Sequence, residues 1–402
     1  MDGEKIPFSF ENESFKLPQI KCYATYTNEE THKIVKENIH RSIYYNSADK
    51  GIGPRYCPSM EDKIAKFPER TRHQIILERE GGSSNEVYPN GFSTSLPVDA
   101  QIKAYRTIKG LENCQLIRPA YAIEYEAFQP TILYPSYETK IIKGLYFAGQ
   151  INGTSGYEEA ACQGLMAGIN AVLSIDNKEP FILGRNESYI GVLTDDLITK
   201  GVDEPYRMFT SRGEYRLHLR EDNAEYRLIE YGYKYGLISK RRYERFILEK
   251  EQVYNEVERF RNETIRLKDN KEKLEKYNIS LDRGLSIYEF LKRPETNIDM
   301  IYDMELTTLT GRAAKQVETI IKYSGYISLQ EEEIKKYKSL EDKKIPDDFD
   351  YSNIAGLRRE YREKFSKIKP KTLGQALRIP GMSISAVSIL EIAINKEKRN
   401  NG

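Results

Sequence analysis

Residues 144–175 read GLYFAGQINGTSGYEEAACQGLMAGINAVLSI. Leu145-Tyr146-Phe147-Ala148-Gly149 has the make-up of a short buried strand. Gln150 to Tyr157 is a loop carrying the turn residues Asn152, Gly153 and Gly156. Glu158 to Ile175 has helical spacing and is rich in Ala and Gly. A strand that passes through such a loop into a helix points backbone N–H groups at whatever lies above it, and the positive helix end favours an anion there. Ala160, Ala161, Gly164, Ala167, Gly168 and Ala171 let the helix approach a sheet or a cofactor closely. A reduced flavin, negative near its pyrimidine ring, suits the position. A tightly packed helix with no ligand fits the same spacing, because Gly-containing strand-to-helix turns are common.

Upstream, residues 1–143 mix strand-like runs and helices. Ile20 to Tyr26 alternates, Thr31 to Asn38 follows a cap at Thr27 or Asn28, and His73 to Glu78 is a strand closed by the turn Gly81 to Asn85. Val98 to Lys109 has helical spacing. Downstream of residue 176 the chain reads as nearly all helix. Arg241 to Lys276 is a charged segment expected to form one solvated arm. Asp342 to Asp350 reads as a polar linker, and Gly374 to Asn395 as a helix pair broken at Pro380-Gly381.

The 402 residues suit two or three domains. Lys+Arg at 62 and Asp+Glu at 61 give a net charge of +1, so any nucleic-acid surface has to be a local patch. Cys22, Cys57, Cys114 and Cys162 are far apart and lack metal-ligand spacing, which points to a reduced, cytoplasmic protein with no metal. No apolar run approaches membrane-span length, so no membrane partner is expected. Asp195-Asp196 reads as a cap or turn, and the four histidines form no ligand cluster.

Two further motifs could carry chemistry. In Gly53-Pro54-Arg55-Tyr56-Cys57-Pro58-Ser59-Met60-Glu61-Asp62-Lys63, the thiol sits beside an Arg and ahead of a helix start, two reasons for a lowered pKa. A thiolate there could attack an electrophilic ring carbon, while a half-buried structural Cys in a turn is the plainer account. In the second motif, residues 204–220, Ser211 and Glu214 have capping-box spacing, and Arg212, Arg216 and Arg220 fall four apart. A helix would put these arginines on one face, with Arg207 adding charge and Tyr206 and Tyr215 nearby, a pattern suited to RNA phosphates and bases. Ion pairs to Glu214, Glu221 and Asp222 would account for the same arginines.

Taken in order, GPRYCPSMEDKI, SNEVYPNGFSTSLP, RPAYAIEY, GLYFAGQINGTSGYEEAACQGLMAGINA, YIGVLTDDL and EPYRMFTSRGEYRLHLREDNAE resemble the MnmG/GidA family. LTTLTGRAAKQVETIIKYSGYI and the run up to ISAVSIL extend the likeness over nearly the whole chain. The resemblance implies a flavoprotein that acts with the GTPase MnmE to place a carboxymethylaminomethyl-type group on C5 of the wobble uridine of tRNA. It implies FAD, NADH as reductant, methylenetetrahydrofolate as carbon donor, and a homodimer in the complete family protein. By the same resemblance Cys57 is the catalytic cysteine and Gln150 a flavin contact. The nicotinamide-nucleotide stretch is Gly53 to Phe67: the eleven residues quoted above and Ile64, Ala65, Lys66 and Phe67. The C-terminal helices would dock partner and tRNA.

The family's opening strand, GxGxxG-type turn and helix have no counterpart in the sequence. The expected fold class is therefore α/β, an incomplete FAD/NAD(P)-binding reductase-like region, followed by an all-α C-terminal region. Its parts are 1–143, the returning strand and helix at 144–175, and 176–402. A non-catalytic tRNA- and partner-binding module and an unrelated flavin reductase are the alternatives.

Overall fold

The computed structural model describes residues 12, 14–43, 58–123, 125–281, 283–341, 343–346 and 348–400. Cys57 and the stretch Gly53 to Tyr56 lie outside them. The chain forms two compact units. One holds residues 1–128 with 153–155 and 203–206. The other holds 129–152, 156–202 and 207–402.

The first unit is built on a three-stranded antiparallel sheet in the order β1 (Tyr23–Tyr26), β2 (Gln74–Arg79), β3 (Val87–Asn90). Thr25 pairs with Ile75, and Leu77 with both Tyr23 and Pro89. Helices α1 (Glu29–Asn38), α2 (Met60–Lys66) and α3 (Val98–Arg106) accompany it. Val35, Met60, Ile64, Ile75, Phe92, Ala100 and Ala104 form the shared core. Asn28 caps α1 and its Nδ2 donates to the Thr107 carbonyl at 2.5 Å, tying the helix start to the end of α3.

In the second unit the residues expected to form a buried strand do not. Leu145 is exposed, and Tyr146 makes one isolated bridge, to Glu138. Local bonds from Thr139 N to Leu145 O, from Leu145 N to Ile142 O and from Phe147 N to Tyr137 O fold this stretch back on its own preceding turn instead of into a sheet. Tyr137 is fully buried and shares a 2.7 Å hydrogen bond with Thr194. The chain from Gln129 to Asn152 belongs to the second unit, so the division falls before the boundary expected at residue 143.

Helix α4 (Tyr157–Ile175) follows, then α5 (Tyr189–Lys200), α6 (Ala224–Lys234) and α7 (Lys240–Asn262). The single solvated arm expected over 241–276 is instead two helices, α7 and α8 (Leu267–Lys276). Ile265 is fully buried and its amide bonds to Leu285 O, which pulls the chain out of helix between them. Val253, Val257 and Phe260 on α7 pack with Phe290, Ile301 and Val317 from α9 (Ile287–Leu291), α10 (Ile298–Asp303) and α11 (Gly311–Lys322).

After α12 (Ser324–Glu341), a last cluster unites α13 (Arg359–Ile368), α14 (Leu373–Arg378) and α15 (Ile384–Asn400) around Phe365, Leu373, Ala376 and Leu390. The stretch read as a polar linker contributes Ile345 and Phe349 to this core, so its apolar residues outweigh its charges. The Lys140 ammonium donates to Thr131 O at 2.7 Å and to Ile368 O at 2.5 Å, across 228 positions of sequence. Among the described residues no helix is long and apolar enough to cross a membrane.

Candidate functional site

The loop before α4 is a short 3-10 turn, Gly149–Asn152, with Gly149 and Gly153 at positive φ. Gln163, fully buried on α4, accepts from the Gly149 amide at 3.0 Å and from Asn152 Nδ2 at 2.8 Å. Gln150 sits in this turn, half-buried. Helix α4 starts at Gly156 without a side-chain cap. Its first turn carries Glu158 and Glu159. Glu159 is buried and accepts from the Met208 amide at 2.6 Å, with Arg207 Nε at 3.7 Å. The carboxylate therefore already meets the positive helix end, so the preference for an anion read from the sequence is weakened.

A Cβ on Gly156 would overlap Glu159 Oε2 and come within 3.1 Å of Arg207 Nε. Gly156→Ala is expected to drive the carboxylate off the Met208 amide. Losing one hydrogen bond to a charged group costs about 2 kcal/mol. A melting temperature equal to wild type would show that Glu159 has somewhere else to go.

The arginine stripe is not helical. A 3-10 turn, Thr210–Arg212, leads into irregular turns through Arg220. Ser211 lies inside that turn and no helix begins directly after it, so its spacing to Glu214 caps nothing. The His218 amide is shared between Tyr215 O and Gln330 Oε1, and the arginines satisfy local carbonyls. Arg212 donates to Arg207 O, Arg216 to Ser211 O and Arg220 to Leu217 O. Arg220 also pairs with Asp222 at 2.9 Å, while Glu214 pairs with Arg185. What the fold does bring together is Arg212 and Arg216. With Ser211, Gly213, Glu214 and Gln330 they line an open groove of about 600 Å³.

Arg185 is the residue sequence reasoning missed. It is 8% exposed and its Nη1 bonds to Asp196 at 2.8 Å and Asp195 at 3.2 Å. Its Nη2 bonds to Glu214 at 2.6 Å and to Arg212 O at 3.3 Å. Lys200 completes Asp196 at 2.7 Å, and Arg378 grips Asp195 at 2.5 and 2.8 Å. Asp195 and Asp196 are thus neither cap nor turn. They lie inside α5, buried and paired. A lone Arg ahead of a Ser-capped helix gives no periodic signal; only the unusual Asp-Asp pair within an apolar helix could have pointed here.

In the described part of the Gly53 to Phe67 stretch, Ser59 and Asp62 form the capping box of α2, and Met60 and Ile64 are core. Glu61 is buried and accepts from Ser95, and Lys63 donates to Gly91 O at 2.8 Å. Pro58, Ala65, Lys66 and Phe67 remain at the surface. Among the described residues no three His, Cys, Asp or Glu side chains converge as metal ligands.

Residues 1–179 match the family described as glucose inhibited division protein A. Residues 240–331 match the tRNA modifying enzyme MnmG/GidA C-terminal helical domain, and 333–402 its C-terminal helical bundle. The chain belongs to the MnmG/GidA family. The tRNA uridine 5-carboxymethylaminomethyl modification enzyme MnmG of Thermodesulfovibrio yellowstonii is 51% identical over 400 residues, which cover 98% of this chain and 64% of that protein. The enzyme of the same name from Clostridium botulinum strain Hall is 51% identical over 404 residues, 100% of this chain and 65% of the relative. Aquifex aeolicus GidA in its form II crystal superposes with a TM-score of 0.78 at 45% identity, over 94% of this chain and 59% of that one. The chain thus spans slightly under two thirds of the relatives' length. The expected order, mixed α/β and then helical, is the one these matches show.

MnmG/GidA proteins are flavin-dependent tRNA modifiers, and the residues present fit the ring end of such a group. Gly149 and Gly153 take positive φ in the turn, while the start of α4 is already met by the Glu159 carboxylate. Along one exposed face, Ala161, Gly164 and Gly168 leave the helix open, and an added Cβ at either glycine meets nothing within 4 Å.

Proposed function

We propose that this chain carries part of a flavoprotein that modifies C5 of the tRNA wobble uridine, adding a carboxymethylaminomethyl-type group. The groove lined by Arg212 and Arg216 supports this reading most, because it is a local cationic surface on a chain of net charge +1. Phosphate neutralisation is the main sequence-independent source of RNA affinity, and a local patch suffices for it. Arg207 and Arg220 flank the same segment and belong to the proposed contact.

FAD, NADH and methylenetetrahydrofolate are the small molecules this reading implies. MnmE and a second copy of the family protein are its protein partners. The flavin supplies the redox chemistry when bound. Gln150 and the open face of α4 at Ala161, Gly164 and Gly168 would hold its ring end, and Gly53 to Phe67 would face the nicotinamide nucleotide. Cys57 acts on the uridine. Addition of its thiolate to the electrophilic ring carbon beside C5 places electron density on C5, which forms the new carbon bond; loss of the C5 proton to a base then restores the ring double bond and expels the thiolate.

The test is Cys57→Ser in the full-length holoprotein. Modified wobble uridine, quantified by mass spectrometry of tRNA nucleosides, is expected to disappear while tRNA binding persists. Normal nucleoside levels would refute the role. A companion measurement uses Cys162, whose thiol burial pushes up to about 11. At pH 8 roughly a thousandth of it is thiolate, so iodoacetamide should label Cys57 well before Cys162. Equal rates would argue against an activated thiol at Cys57.

A further inference from the structure

We propose that Arg185 sets the charge of the arginine groove by occupying Glu214. This rests on the reading of the groove as an RNA contact. Glu214 is the one carboxylate among the six residues that line it, and its side chain is 48% exposed. Unoccupied, it would compete with phosphate for Arg212 and Arg216 and repel an RNA backbone. Arg185 engages it through Nε at 3.2 Å and Nη2 at 2.6 Å. The same Nη2 reaches Arg212 O, which fixes the backbone carrying the neighbouring groove arginine. Arg185 cannot swing away, because Asp195 and Asp196 hold its other edge and Arg378 holds Asp195. A buried guanidinium shared by three carboxylates and two backbone carbonyls is a rigid fork of the kind lysine cannot reproduce. Arg185 touches no groove ligand itself. It is a positioning residue that leaves the groove with an excess of positive charge.

The test is a charge cycle read by fluorescence anisotropy with an unmodified tRNA transcript between 50 and 200 mM salt. Arg185→Gln should weaken binding about tenfold and lower the salt slope by about one contact's worth. Adding Glu214→Gln to it should restore affinity to within about threefold of wild type, since removing the released carboxylate removes the competitor. A purely structural role for Arg185 predicts no rescue, and a folded double variant as weak as Arg185→Gln would overturn the proposal. If Arg185→Gln does not fold, Glu214→Gln alone decides. It should bind as well as wild type or up to about threefold tighter, and a loss of affinity overturns the proposal. Arg216→Ala separates the two levels of argument. If it leaves affinity and slope unchanged, the groove reading itself fails; if it weakens binding while the cycle shows no coupling, only the role of Arg185 fails.

Discussion

Gly191→Ala is expected to destabilise the second unit by about 3 kcal/mol. Gly191 lies in the first turn of α5, capped by Ser188, with ordinary helical backbone. Its requirement is spatial. A Cβ there would overlap the carbonyl oxygen of Gly184 and lie 2.7 Å from that of Leu183. Both obstacles are backbone atoms, so no rotamer change relieves them. Either α5 shifts, disturbing the fully buried Val192 and Leu197, or residues 183–184 move and carry Arg185 with them. Gly168→Ala on α4 is the matched control. Its Cβ meets open space, and replacing an exposed helical Gly should gain about 0.8 kcal/mol. Urea midpoints followed by circular dichroism would separate the two, and a Gly191→Ala midpoint at the wild-type value would show that the close approach does not exist in solution.

Asp196→Ala has the second large effect. Its side chain is 1% exposed and is shared by Arg185 and Lys200. Burial alone would push its carboxyl up, but hydrogen bonds and charge from Lys200 and Arg185 outweigh this and hold it below the ordinary carboxylate value. Removing it strands part of a buried guanidinium, a loss of about 3–5 kcal/mol. The sign with pH follows from the depressed carboxyl. Its contribution is present above the unfolded-state value and is lost as pH falls through the folded one. Wild type and variant should differ most at neutral pH and converge below about pH 4. A gap that stays constant from pH 7 to pH 3 would mean the carboxylate is not the source.

How much of this could be read beforehand depended on what each residue must satisfy. The helix at 157–175 was legible because its apolar and small residues keep a 3.6 period and Gly156 precedes it. α1 was legible from Asn28, whose side chain bonds the Thr31 amide. The helix pair near the C-terminus was legible at Pro380-Gly381. The arginines at 212, 216 and 220 misled because spacing by four is necessary for a shared helical face but not sufficient. Gly213 interrupts them, and each guanidinium finds a nearby carbonyl. The strand expected at 145–149 failed for a different reason. An apolar run says that burial is available, while a strand also needs a neighbour for its amides, and here those of Leu145, Phe147 and Gly149 go to Ile142 O, Tyr137 O and the Gln163 side chain instead. In the candidate site, the identity of Arg212 and Arg216 was accessible from sequence. Arg185, Glu159 and Gln330 were not, because their roles arise from partners 27, 49 and 112 positions away.

The Asp195–Arg378 pair also has a consequence for how the chain is made. Its partners are 183 positions apart, and Lys140 waits 228 positions for the Ile368 carbonyl. At a synthesis rate of about 5–20 residues per second, Asp195 is added to the chain roughly ten to forty seconds before Arg378. Through that interval the growing polypeptide holds two adjacent carboxylates in an apolar helix with Arg185 and Lys200 as the available counter-charges. Helix α5 should therefore stay loosely docked on the nascent chain and tighten only when the last bundle emerges. Ribosome-bound chains halted before residue 378 should be cleaved by protease around α5, and chains halted far enough beyond it for Arg378 to clear the exit tunnel should resist.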